Sequence, residues 1–161
     1  MATDTQTEQE WLDRLVGDWA CVGGAALAPD EEPALIHGQE TFRRLGEHWV
    51  ISEGDGTSLD GEVSSGMFTI GFDTDKQTFV GSFVCTDLSN LWVFPSGTLS
   101  EDGNSLTLEC EAPNFLAKDG STAKFREVFS FDSPDHRTLT AYIQRPDGEW
   151  EKFMKSECFR R

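Results

Sequence analysis

The chain has 161 residues, room for one domain and too few for a second of ordinary size. Acidic residues outnumber basic ones 29 to 13, and the resulting formal charge of −16 repels phosphate backbones and anionic bilayer surfaces, which sets nucleic acid and membrane aside as partners. Apolar residues make up 37% and aromatics 11%, including 12 Phe and 5 Trp, which is enough for a sizeable core or a lined cavity and argues against a disordered chain.

In chain order, the N-terminal stretch MATDTQTEQE lacks a basic segment followed by an apolar one. No run approaches the ~20 apolar residues of a bilayer span, so the expected location is the cytoplasm. Residues 1–6 read as a flexible tail and 7–16 as the one helix. Thr7 can cap it, Glu10 completes a capping box, Trp11, Leu12, Leu15 and Val16 share a face, and Gly17 suits the stop. Such a short amphipathic helix ahead of a β protein is expected over a barrel mouth or along its wall, with Trp11 in the core.

From Asp18 onward, short runs rich in Val, Ile, Phe, Trp and Thr alternate with Gly, Asp, Asn, Ser and Pro clusters at near-regular spacing. Ten strands are predicted, at 17–24, 36–45, 48–57, 64–73, 78–86, 90–99, 105–112, 122–132, 136–145 and 149–160. The turns at Gly46-Glu47, 73–76, 102–104, 133–135 and Asp147-Gly148 suit hairpins. The fold class is therefore all-β, a single antiparallel up-and-down barrel of about ten strands across residues 1–161. The segment Ala25 to Leu35, with Pro29 and Pro33, is expected as a rim loop able to act as a lid. Closure removes the aggregation-prone edges that so many strands would otherwise expose. It requires the first and last strands to pair, bringing the segment around Ala20 beside that around Glu157, and Cys21 and Cys158 close together. The four cysteines are dispersed and never form C-x-x-C, so reduced thiols are expected.

The hairpin from Gly38 to Gly54 is the most informative stretch. If Gly46 and Glu47 form a two-residue turn, Leu45 faces His48, Phe42 faces Ile51, and Glu40 faces Glu53, with Trp49 on the same side. Opposed carboxylates in apolar company would share a proton, meet a cation or serve function. Three readings stay open: an outward pair tied to an arginine such as Arg44, a polar anchor in the lumen, or a catalytic acid and base. A single bulge would move Glu53 to the other face. Further along, Phe125, Glu127, Phe129 and Phe131 alternate on one strand face, and the last hairpin sets Leu139, Ala141 and Ile143 beside Met154 and Trp150. His37, His48 and His136 have no metal-like spacing and none has a context that marks a haem ligand, so no metal and no cofactor are predicted. Neither a G-x-S-x-G, a phosphate loop nor a dinucleotide fingerprint is present, and Gly-rich pieces such as G-D-G at 54–56 read as turn signals.

Four segments together resemble the bacterial lipocalin-like family known as domain of unknown function 1579: EWLDRLVGDW at 10–19, the 38–54 hairpin, GFDTDKQTFVG at 71–81 and DHRTLTAY at 135–142. The resemblance spans nearly the whole chain. It implies a calycin-type barrel without an assigned reaction, and it matches the family's hairpin pattern to Glu40, Arg43, Gly46, Trp49 and Glu53 and the arginine of its later strand to Arg126. The reading that follows is a non-enzymatic binder of a small apolar or amphipathic molecule, with Glu40, Phe42, Trp49, Glu53, Arg126, Glu127, Phe129, Ile143 and Met154 as candidate lumen residues. The alternative is a small isomerase, lyase or hydrolase using the carboxylate pair. Trp92, read as exposed, suggests a homodimer interface.

Overall fold

The computed structural model describes residues 4–25, 34–57 and 61–161. Among these residues one helix, α1 (Asp4–Asp13), precedes eleven strands: β1 (Gly17–Ala25), β2 (Ala34–Leu45), β3 (Trp49–Thr57), β4 (Val63–Asp73), β5 (Thr78–Cys85), β6 (Trp92–Phe94), β7 (Ser96–Leu99), β8 (Ser105–Pro113), β9 (Thr122–Ser133), β10 (His136–Gln144) and β11 (Trp150–Arg160). All pair antiparallel in one sheet ordered β6-β5-β4-β3-β2-β1-β11-β10-β9-β8-β7. Every pairing joins chain neighbours except that of β1 with β11, and the chain neighbours β6 and β7 stand at the two ends of the order.

That pairing closes the barrel as expected, with Ala20 opposite Phe159, Cys21 opposite Cys158 and Val22 opposite Glu157. The thiol expectation is corrected there, because Cys21 and Cys158 form a disulfide, while Cys85 and Cys110 are free. A bonded pair is what oxidising compartments permit, so the cysteines no longer support a cytoplasmic address. No helix among the described residues is long and apolar enough to cross a membrane.

The second seam is looser. The single strand expected at 90–99 is two strands broken at Pro95, whose missing N–H interrupts the ladder. β6 pairs with β5 and β7 with β8, and the gap is bridged by Thr78, whose hydroxyl accepts from the Gly97 amide and lies 3.1 Å from the Gly97 carbonyl.

The helix lies three residues earlier than expected. Thr7 therefore sits inside it instead of capping it, and residues 4–6 of the expected tail are helical. Arg14, Leu15 and Val16 continue in tight i→i−3 turns before Gly17, whose φ of +134° favours glycine. The Trp11, Leu12 and Leu15 side chains plug one end of the barrel. Trp11 packs edge-on against Phe79 and Phe131, and its indole N–H donates to the Gly103 carbonyl at 2.9 Å. Arg44 of β2 fastens the plug, bonding Asp13 and the Gln9 carbonyl. The expected lid falls mostly on 26–33, outside the described residues; its flanks belong to β1 and β2.

Candidate functional site: a lined lumen at the open end

Side-chain size is graded along the strands that form one wall. Near the plug, Phe42 on β2, Val50 on β3, and Ile70 and Phe72 on β4 point inward and are buried. Towards the opposite end the same inward positions hold Gly38, Gly54, Gly56 and Gly66. At Gly38 glycine is also required by the sheet, since a Cβ there would lie 2.5 Å from the Asp55 carbonyl oxygen, and at Gly54 a Cβ would be crowded, 3.0 Å from that of Gln39. The G-D-G at 54–56 is thus strand, not turn. Its missing side chains leave a cavity of about 430 Å³, within the range of small-molecule sites.

The facing wall is aromatic. Phe68, Phe83, Trp92, Phe115 and Phe153 line the cavity with Leu88, Leu139, Ala141 and Met154, and the Cys21–Cys158 disulfide lies in the wall. Trp92 is buried rather than exposed, its ring 4.6 Å from Phe125 and 6.4 Å from Phe115, which removes the basis for the expected dimer contact. Asp55 and Asp87 are exposed lining residues.

Two carboxyls face the interior. Glu40 bonds the Nη2 of Arg137 at 2.5 Å. Arg137 is fully buried, with its guanidinium 4.5 Å from the Trp19 ring and 5.4 Å from that of Phe42, so a buried cation is held by one carboxylate and the faces of aromatic rings. Burial pulls its pKa down and Glu40 pushes it back, and an arginine stays charged throughout. Glu127 has no such partner. Only 6% exposed, it has an Oε2 with no hydrogen-bond partner, and burial pushes its carboxyl up to about 8. Below that pH it carries its proton. The neighbouring Cys110 thiol is pushed up to about 12, by burial first and by Glu127 second.

The structure sorts the predicted site residues into three groups. Glu40, Glu127 and Met154 line the cavity. Phe42, Phe129 and Ile143 are buried core side chains and do not line it. Trp49, Glu53 and Arg126 lie on the outside, a correction with one cause for the first two. The hairpin turn holds three residues, so Leu45 pairs with Trp49, Phe42 with Ser52 and Glu40 with Gly54. The one-residue slip sends Glu53 to the outer face opposite Thr41 and dissolves the expected carboxylate pair. Trp49 lies over Gly71 on that same face. Arg126 alternates outward from Glu127, bonds Glu109 at 2.6 Å and stacks 3.9 Å over the Trp150 ring, which is likewise outside.

Arg137 was missed, although a signal existed. It stands two residues before Leu139 in the alternating series Arg137, Leu139, Ala141, Ile143, so strand periodicity alone puts it inside.

A meander barrel plugged at one end by a helix and hollow at the other is a lipocalin-like, calycin-type architecture. The chain belongs to the family described as protein of unknown function DUF1579, which matches residues 4–160. Among solved structures it is similar to the S-type phycobiliprotein lyase CPES from Guillardia theta, at 15% identity and a TM-score of 0.64, covering 99% of this chain and 98% of that one. It is also similar to Rv2717c from M. tuberculosis, at 14% identity and 0.64, covering 96% and 97%. A redesigned β-barrel, mFAP0, bound to DFHBI, aligns at 18% identity and 0.51, covering 91% and 99%. At these identities the likeness establishes the fold. No curated protein matches the sequence.

Proposed function

We propose that this protein binds a small apolar or amphipathic molecule in the open end of its barrel, without turning it over. The observation that carries the reading is the cavity itself: about 430 Å³, walled by glycines on one side and aromatic rings on the other. A barrel meant only to be stable would fill that space, since each void forfeits packing energy. A redesigned barrel of this fold holds DFHBI, which supports the same use of the architecture here. With Glu53 outside, the expected acid–base pair has no basis, and binding remains the better account.

Native mass spectrometry of protein purified gently from cells, followed by thermal-shift screening of apolar and aromatic compounds, tests the reading. The expected result is a retained small molecule, or library members that raise the melting temperature in proportion to their concentration. A chain that carries nothing and shifts with nothing would overturn it.

A further inference from the structure

Resting on that reading, we infer that the ligand is an organic cation: an aromatic or aliphatic body bearing a protonated amine, with the amine directed at Glu127. Three observations converge on it. The described residues that line the cavity include Glu40, Glu127 and Asp87, and no Lys, Arg or His. Arg137, the buried cation beneath them, does not line the cavity and its Nη2 is bonded to Glu40, so an anionic ligand meets no positive side chain on the described wall. Glu127 is left with an unpartnered oxygen inside a largely apolar wall, and a buried polar atom of that kind costs free energy until a ligand satisfies it.

The aromatic wall suits the same guest. Trp92, Phe115 and Phe153 form a cluster, with Phe115 lying 5.5 Å from Phe153, and ring faces attract ammonium groups. The chain's charge of −16 draws cations towards the protein from a distance. Burial pushes the Glu127 carboxyl up to about 8, which favours its protonated form at neutral pH. An arriving ammonium stabilises the carboxylate, so binding releases that proton to solvent and leaves a charge-assisted hydrogen bond from N–H to carboxylate. Of the other ionisable groups around the cavity, Glu40 is paired with Arg137, Asp87 is exposed, and the Cys85 and Cys110 thiols are raised by burial.

The test uses three probes of one shape, 2-(1-naphthyl)ethylamine, 2-(1-naphthyl)ethanol and 1-naphthylacetate. They are titrated calorimetrically at pH 7 in two buffers of different ionisation enthalpy. The expected result is that the amine binds about 10-fold or more tighter than the alcohol and the acetate is weakest, with up to one proton released per amine bound. Glu127→Gln should bring the amine down to the alcohol and abolish the proton release. The proton count is read on the unaltered chain, so the test stands even if the variant folds poorly. Alcohol or acetate binding as tightly as the amine, or amine binding without proton release, overturns this inference and leaves the lumen as a binding site. Failure of all three to bind overturns this inference too, and the binding reading falls with it only if the native mass spectrometry and the thermal-shift library are also blank.

Discussion

The two ends of this barrel are built from the same strands and held by different means. At the plugged end, Trp11, Leu12, Leu15, Trp19, Phe42 and Phe131 fill the interior, and Arg137 is boxed among their rings. At the open end the corresponding positions are glycines, the side chains leave a cavity, and a disulfide joins the strands that close the wall. Dense packing stabilises the first end; a covalent link offsets its absence at the second. The lesson is that the hollow half can be shaped for a ligand because it is not asked to supply the packing.

The largest expected effect breaks the link. Cys21 and Cys158 are 137 residues apart, and in the chain-entropy model a cross-link of that span contributes about 5 kcal/mol. Replacing both with Ser should lower stability by roughly 3–5 kcal/mol in urea unfolding, and chemical reduction should do the same. A loss under about 1 kcal/mol would mean that the open end is held by something else. Next is the floor. Glu40→Ala strands the buried guanidinium of Arg137 and should cost about 3–5 kcal/mol, whereas replacing Glu40 and Arg137 together by apolar residues of similar volume should cost much less.

A smaller, pH-dependent effect belongs to Glu127. Its folded carboxyl titrates at about 8 against an ordinary value of 4.5, so between those values the unfolded chain has lost a proton that the folded chain keeps. Folded stability from this group is therefore present below the lower value and falls as pH rises, by up to about 1.4 kcal/mol per unit, levelling off above the upper one. Glu127→Gln removes the dependence. The melting-temperature gap, variant minus wild type, should widen from pH 5 to pH 8 and stay flat beyond. The smallest stability effect is expected at Gly56, where an added Cβ meets nothing closer than 3.4 Å. Gly56→Leu should change stability by about 1 kcal/mol or less while filling the cavity, so that ligands which shift the wild type no longer shift the variant.

How much of this was legible follows the same division. The alternation of Phe125, Glu127, Phe129 and Phe131 is a two-residue period, and it put Glu127 inside without any knowledge of partners. Closure was legible too, because a run of strands without covering helices has to solve its edges. What sequence could not supply was turn length. Two residues or three at Gly46 differ by one position, and that position decides whether Glu53 and Trp49 face lumen or solvent. The cavity was hidden for a related reason: glycine in a strand and glycine in a turn look alike until the pairing is known. Pro95 hid Trp92 by splitting a strand that otherwise reads as continuous.

The order of strands also bears on how the chain assembles. Most strands of the sheet pair with the strand beside them in the sequence, so hairpins can zip up one after another from contacts close along the chain. The exception is β1, whose outer partner is the last strand, β11. Until those final residues arrive, β1 presents an open edge in the emerging chain, the kind of edge that recruits other strands. Shortening the C-terminus by the length of β11 should therefore leave a chain that makes most of its hairpins and aggregates all the same.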